Sequence, residues 1–122
     1  MHKIREFQRL LNAAQDMEMV KLAAIIAEQK LIASRIERYR VSKMQVRKDA
    51  ATVIDLSSIP AQRVNNKWSA WIDLEIRKQI DEMTKLAVVL EEQKKQSQIA
   101  FGRVNAFKKL AKKKNEKRRP SP

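Results

Sequence analysis

Residues 56–60 read Leu-Ser-Ser-Ile-Pro, and they form the clearest interruption in a chain that otherwise has the composition of long helices. Proline cannot continue a helix interior, because it has no N–H and its ring clashes with the preceding turn. It also disfavours helical backbone at the residue before it. Proline suits the first turn of a new helix, and serines just before it can cap that helix. The stretch therefore predicts a turn over residues 55–60, between a helix over residues 3–54 and a second helix over residues 61–113.

The composition of the chain also favours helices. Its 122 residues include one glycine and no cysteine, and 34% of them are charged. Sheet proteins need many turns and therefore more glycine, whereas Ala, Leu, Lys, Glu, Gln and Arg are strong helix formers. Without cysteine there can be no disulfide or thiolate metal site, and this composition fits a reducing compartment. No apolar run approaches the roughly 20 residues that span a bilayer, so we expect no transmembrane segment.

Apolar residues recur every seven positions in both predicted helices, which is the signature of a coiled coil. In the first helix the apolar column consists of Ile4, Leu11, Ile25, Ile32, Tyr39, Val46 and Val53. In the second helix it consists of Ile76, Met83, Leu90, Val104 and Ala111, with Ile72, Ile80, Leu86, Ala87, Phe101 and Phe107 as flanking residues. Each column has one polar break, Glu18 in the first and Ser97 in the second.

The two columns match each other across the predicted turn. In an antiparallel hairpin centred between residues 57 and 58, Leu11 would face Val104 and Glu18 would face Ser97. This agreement favours an all-α fold, a long antiparallel two-helix coiled-coil hairpin over residues 1–114, and we expect it to form one domain. Pairing of the same faces with another chain, in a domain-swapped or parallel dimer, stays open. Residues 115–122 are basic and rich in proline, and we expect them to form a disordered tail.

Positive charge is the most informative feature for function. The chain has 27 Lys and Arg residues against 14 Asp and Glu, a net charge of +13, and residues 103–119 hold nine basic residues and one acidic residue. In the hairpin this segment would return beside the basic N-terminus. The predicted basic tip consists of Lys3, Arg5, Arg9, Arg103, Lys108, Lys109 and Lys112. Such a tip favours an acidic protein partner. The alternatives are a solubilising tail and, less favoured because no aromatic residues are interleaved for base stacking, nucleic acid binding.

A second candidate site is the pair of tryptophans that follows the turn, Trp68 and Trp71, with Ile72 beside them. Tryptophans three residues apart share one side of a helix. They can pack under the turn as part of the core, or they can anchor a partner, because aromatic residues are enriched in interface hot spots. Both interpretations stay open at the level of sequence.

Residues that could carry catalysis are sparse. His2 is the only histidine and has no evident co-ligands for a metal. The carboxylate pairs Asp81-Glu82 and Glu91-Glu92 fit solvated helix faces better than an acid–base pair. A two-helix hairpin also offers no concave pocket. We therefore expect a protein that is not an enzyme and that uses no metal or other cofactor.

Three segments resemble a known family: Phe-Gln-Arg-Leu-Leu at residues 7–11, Trp-Ile-Asp-Leu-Glu-Ile at residues 71–76 and Leu-Glu-Glu-Gln at residues 90–93. Together with the basic, cysteine-free hairpin, they resemble the flagellar type III export protein FliJ and its virulence-system relative YscO. The resemblance covers most of residues 3–113. Proteins of this family are similar to the coiled-coil stalk of the gamma subunit of rotary F-type ATPases.

The resemblance implies a role in type III protein export, in a flagellar or a virulence system. The basic tip would enter the central hole of the hexameric export ATPase, and the patch of Trp68, Trp71 and Ile72 would contact the cytoplasmic domain of the export gate. Escort of substrate chaperones is a further implied role. The protein would then lie in the cytoplasm, peripheral to the inner-membrane export apparatus. The alternative is a basic coiled-coil adaptor that binds nucleic acid or an acidic scaffold outside any secretion system.

Overall fold

The computed structural model describes residues 2–52 and 59–118, and all of these residues lie in two α-helices. Helix α1 is His2–Thr52 and helix α2 is Ile59–Arg118. The two helices contact each other, which confirms the predicted all-α helical hairpin. The described ranges contain no strand.

The helix boundaries near the predicted turn differ slightly from those expected. α1 is described as far as Thr52, so the last two residues of the predicted helix, including Val53 of the apolar column, lie outside the described residues. α2 begins at Ile59, two residues before the predicted start. Pro60 therefore belongs to the first turn of α2, where its missing N–H costs no hydrogen bond. The predicted turn over residues 55–60 is thus corrected at its last two residues, and its first four residues lie outside the described part of the chain.

The predicted disordered tail is partly wrong. α2 continues through Asn115 to Arg118, so four residues assigned to the tail are helical. The prediction ended the helix at residue 113, two residues after the last apolar position, Ala111, but Lys, Glu and Arg favour helix without any packing. Basic residues also interact favourably with the negative end of the helix dipole. Pro120 disfavours helical backbone at the residue before it, and residues 119–122 lie outside the described ranges.

Contacts divide the chain into two compact units, whereas the sequence suggested one domain. The first unit comprises residues 1–26 and 88–122. Along α1 its less exposed positions include a series at alternating steps of three and four residues: Ile4, Gln8, Leu11, Gln15, Glu18, Leu22 and Ile25. Along α2 the corresponding positions are Leu90, Gln93, Ser97, Ala100, Val104, Phe107 and Ala111. This spacing keeps one face of each helix against the other, and the most buried residues of the unit are Ala100, Val104 and Ser97.

The second unit comprises residues 27–87. Its less exposed positions on α1 follow the same spacing: Gln29, Ile32, Ile36, Tyr39, Lys43 and Val46. On α2 they include Ile72, Ile76, Gln79, Met83 and Leu86. The core of this unit is apolar, because Ile72, Ile32 and Ile36 are 1%, 2% and 7% exposed, respectively.

The flanking residues predicted for α2 are only half right. Ile72, Leu86 and Phe107 do face the helix contact, but Ile80 and Phe101 are 43% and 55% exposed, and Ala87 is exposed as well. The other positions beside the apolar column that turn inward include Gln79, Gln93 and Ala100. A regular alternation of three and four residues places these positions in the helix contact, whatever the polarity of the residues that occupy them.

Candidate interaction sites

Two aromatic rings join the start of α1 to the last turns of α2 within the first unit. The ring centroids of Phe7 and Phe107 lie 5.2 Å apart, with the ring planes tilted by 59°. Tilted aromatic pairs at this distance contribute stabilisation beyond simple area burial. Because Arg5 and Arg9 flank Phe7 while Arg103 and Lys108 flank Phe107, the contact brings the cations of both helices to one place.

All seven residues of the predicted basic tip are exposed. None of them forms an ion pair with another residue of the described ranges, although His2 and Glu6 approach to 3.8 Å nearby. Lys108 and Lys112 line a shallow open groove to which Gln8 of α1 also contributes. Exposed cations that are not neutralised by the protein itself produce a field that attracts anionic surfaces.

The predicted tryptophan patch is divided between core and surface. Ile72 is 1% exposed, so it belongs to the core of the second unit, and Trp68 is half-buried. Trp71 is 52% exposed. Its ring packs edge-on against Tyr39 of α1, with the centroids 6.3 Å apart and the planes at 87°. The tertiary contact therefore orients Trp71 while leaving about half of it open to solvent.

Two exposed apolar residues extend the surface around Trp71, and sequence reasoning missed both. Val64 is 65% exposed and Leu74 is 51% exposed. They lie seven residues before and three residues after Trp71, which places all three on one side of α2. Both residues lie outside the heptad column of α2 and at helical spacing from Trp71. This spacing was the signal in the sequence that could have identified them. We call Val64, Trp71 and Leu74 the tryptophan surface.

A polar layer crosses the helix contact of the first unit at Glu18. Ser97, predicted to face it, is 9% exposed, and its hydroxyl lies 3.5 Å from the Glu18 backbone carbonyl. The stronger partner is Gln93, which the sequence analysis did not identify. Its amide donates to the Glu18 carbonyl at 3.1 Å and to the carboxylate Oε2 at 2.5 Å. Lys21 Nζ lies 3.4 Å from the other carboxylate oxygen.

These contacts affect the titration of Glu18. The hydrogen bond from Gln93 is the main influence and lowers the pKa of Glu18, because it stabilises the charged carboxylate. Partial burial opposes this effect by raising the pKa, and the charge of Lys21 adds to the lowering. The carboxylate is thus held in its ionised form within the helix contact.

A second interhelical link lies in the second unit. Lys43 Nζ of α1 donates to Asp73 Oδ1 of α2 at 2.6 Å. This bond is the main cause of a lowered pKa of Asp73, and the nearby charges of Arg47 and Arg77 act in the same direction against partial burial. The two residues of the pair carry opposite charges, and both are at least partly exposed. Because exposed ion pairs contribute little to stability, the bond positions the helices more than it stabilises them.

No protein family, curated protein sequence or solved structure matches the chain at a significant level. The family resemblance and the role that it implies therefore stay predictions. Within residues 2–52 and 59–118, neither helix contains a window apolar enough to cross a membrane. The same residues include no group of three His, Cys, Asp or Glu side chains that could hold a metal ion.

Proposed function

We propose that this chain is a coiled-coil stalk of a type III protein export apparatus and that its basic tip binds the hexameric export ATPase. The observation that carries the proposal is the contact between Phe7 and Phe107, which joins two helix ends whose seven cations are exposed. A cationic tip on a paired helix, with no ion pairs of its own among the described residues, suits insertion into an acidic opening.

The tryptophan surface is proposed as the contact with the cytoplasmic domain of the export gate. Trp71 is held by Tyr39 and is half exposed, and Val64 and Leu74 add apolar area beside it. A rigid, partly exposed aromatic residue surrounded by apolar side chains is typical of an interface hot spot. In this proposal the protein acts by binding and not by catalysis, lies at the cytoplasmic side of the inner membrane, and contacts substrate chaperones during export.

The ATPase contact can be tested by charge reversal. Arg5→Glu, Arg9→Glu and Lys108→Glu together should weaken binding to the purified export ATPase by at least about tenfold at low salt, because they invert the field of the tip. A matched control reverses three exposed cations of the second unit, Lys30, Arg35 and Lys48, and should cost much less. Binding is measured by biolayer interferometry, and circular dichroism checks that both variants remain helical.

Deletion of residues 115–122 separates insertion of the tip from simple attraction by the basic end. These residues lie beyond Ala111, the last position facing α1 for which burial is described, so their removal should weaken ATPase binding far less than the charge reversals do. If the deletion abolishes binding and the reversals do not, the basic end acts as a polyanion tether and the stalk proposal fails.

The competing function is an adaptor that binds nucleic acid or an acidic scaffold. It is favoured by the nine basic residues between Arg103 and Arg119, because phosphate contacts come mainly from such clusters. A gel mobility shift with duplex DNA distinguishes the two functions. Binding that persists at moderate salt, with no measurable affinity for the export ATPase, would favour the adaptor.

A further inference from the structure

Helix α1 carries a second apolar column that does not face α2. In the first unit it consists of Leu10, Ala13, Met17, Val20 and Ala24, at alternating steps of three and four residues. All five residues are exposed, and Leu10, Met17 and Val20 are 68%, 61% and 69% exposed. We call these five residues the outer stripe.

The hairpin does not require the outer stripe. The positions of α1 that pack towards α2 in this unit form their own complete column, which includes Gln8, Leu11 and Leu22. Single exposed apolar residues are common on protein surfaces, but a continuous column of them marks a site that another molecule covers. Spacing of three and four residues is the pattern that fits the side chains of another α-helix. The geometry therefore favours a helix as the occupant.

Charge decides which kind of helix fits. The first unit contains fifteen basic and six acidic residues, a net charge of +9. Around the outer stripe on α1 itself, Arg9 and Lys21 are balanced by Glu6 and Asp16, so the positive charge of the unit lies mainly in residues 88–122, which hold eleven basic and three acidic residues. A second copy of the chain would bring another unit of the same net charge of +9 close to the first and be repelled, whereas a helix with acidic side chains would be attracted.

We infer that the outer stripe binds an amphipathic helix of a partner protein, in which acidic residues flank an apolar heptad column. This docking surface goes beyond the proposed contacts with the export ATPase and the export gate. It rests on other residues, and it holds whether or not the chain acts in protein export.

The test uses the full chain and a synthetic peptide of four heptads, with Leu and Ala at the apolar positions and Glu beside them. A second peptide of the same charge has Ser at the apolar positions. Fluorescence anisotropy should show saturable binding of the apolar peptide only. Leu10→Gln with Val20→Gln should weaken this binding at least about tenfold, because two large apolar side chains would no longer be buried against the peptide.

The matched control is Leu110→Gln with Val88→Gln. These residues have the same types and nearly the same exposure, 66% and 69%, but lie on α2 of the same unit. Glutamine keeps the charge unchanged and favours helix, so both double variants should fold. The control should change the affinity by less than about twofold, as expected for surface residues outside the contact.

Several results would overturn the inference. Equal binding of the two peptides, or equal weakening by stripe and control variants, would show that charge alone is responsible. No binding of the apolar peptide would exclude the acidic helix. Dimers in sedimentation equilibrium that dissociate on Leu10→Gln and Val20→Gln would assign the stripe to a second copy. Binding to phosphatidylglycerol vesicles that the same variant abolishes would assign it to a membrane surface.

Discussion

Glu18 occupies a heptad position that usually holds an apolar side chain, and it is accommodated there by hydrogen bonds from two directions. Gln93 donates to its carbonyl and its carboxylate, and Lys21 approaches the remaining oxygen. A carboxylate that accepts such bonds is stabilised in its charged form, which lowers its pKa. Polar residues at such positions commonly select one register of a helix pair. The layer of Glu18, Gln93 and Ser97 is suited to that role.

The lowered pKa of Glu18 makes the stability of the hairpin depend on pH. Because the pKa is lower in the folded than in the unfolded chain, Glu18 stabilises the fold fully above its unfolded pKa. This contribution is lost as the pH falls from about 5 through the lowered folded pKa. Between neutral and acidic pH, the free energy of unfolding should therefore fall less for Glu18→Gln than for the original chain. Urea denaturation across that pH range measures the difference.

The control for this prediction is Glu28→Gln. Glu28 is also on α1, but it is exposed and has no hydrogen bond or ion pair within the described ranges. This substitution should leave the pH dependence close to that of the original chain. An equal effect of both variants would mean that overall charge, and not the polar layer, controls the acid response.

Two glutamines of helix α2 occupy equivalent heptad positions but differ in their hydrogen bonding. Gln79 and Gln93 lie fourteen residues apart, which places them in the same column of the helix contact. The side-chain oxygen of Gln79 is buried and has no hydrogen-bond partner among the residues that the structure describes, whereas the amide of Gln93 bonds to Glu18. A buried acceptor without a partner costs about 1–3 kcal/mol of desolvation free energy.

This contrast predicts opposite effects of one substitution on stability. Gln79→Leu should raise the free energy of unfolding by about 1–2 kcal/mol, because it removes the unsatisfied oxygen and adds apolar contact. Gln93→Leu should lower it, because Glu18 would lose its strongest donor. Thermal denaturation followed by circular dichroism at neutral pH measures both shifts. Stabilisation by both variants would show that Gln93 contributes nothing to the polar layer.

For the whole molecule, the main question is whether the helices pair within one chain. In the first unit, positions in α1 rise as their partners in α2 fall: Phe7 contacts Phe107, and Glu18 contacts Ser97. This order is that of an antiparallel hairpin. The sequence alone also allowed the same faces to pair between two chains.

Spin labels can establish intramolecular pairing in solution. The chain has no cysteine, so Ala14→Cys and Arg103→Cys, both at exposed positions of the first unit, introduce unique labelling sites. The labels should lie roughly 10–20 Å apart, as expected for adjacent helices whose axes are 8–10 Å apart. Dilution with unlabelled chain should leave the dipolar broadening unchanged. Broadening that disappears on dilution would assign the pairing to separate chains.

The heptad columns show which features of the fold can be predicted from the sequence. The apolar repeat established both helices, and the matched breaks at Glu18 and Ser97 correctly predicted which residues meet. These inferences succeed because side chains seven residues apart lie on one face of a helix, so the repeat records the buried face directly. The sequence predicts the binding surfaces less directly than it predicts the fold, because a run of exposed charge is compatible with several partners.

Only the tertiary structure decided which residues beside each column are buried. Ile80 and Phe101 are apolar yet face solvent, whereas Gln79 and Gln93 turn inward. Similarly, Ile72 is in the core while its neighbour Trp71 is half exposed. Residue polarity alone cannot resolve these cases, because a small rotation of one helix about its axis exchanges the flanking positions. The sequence by itself determined the two helices and their facing columns; the rotation that maximises contact between them determined the rest.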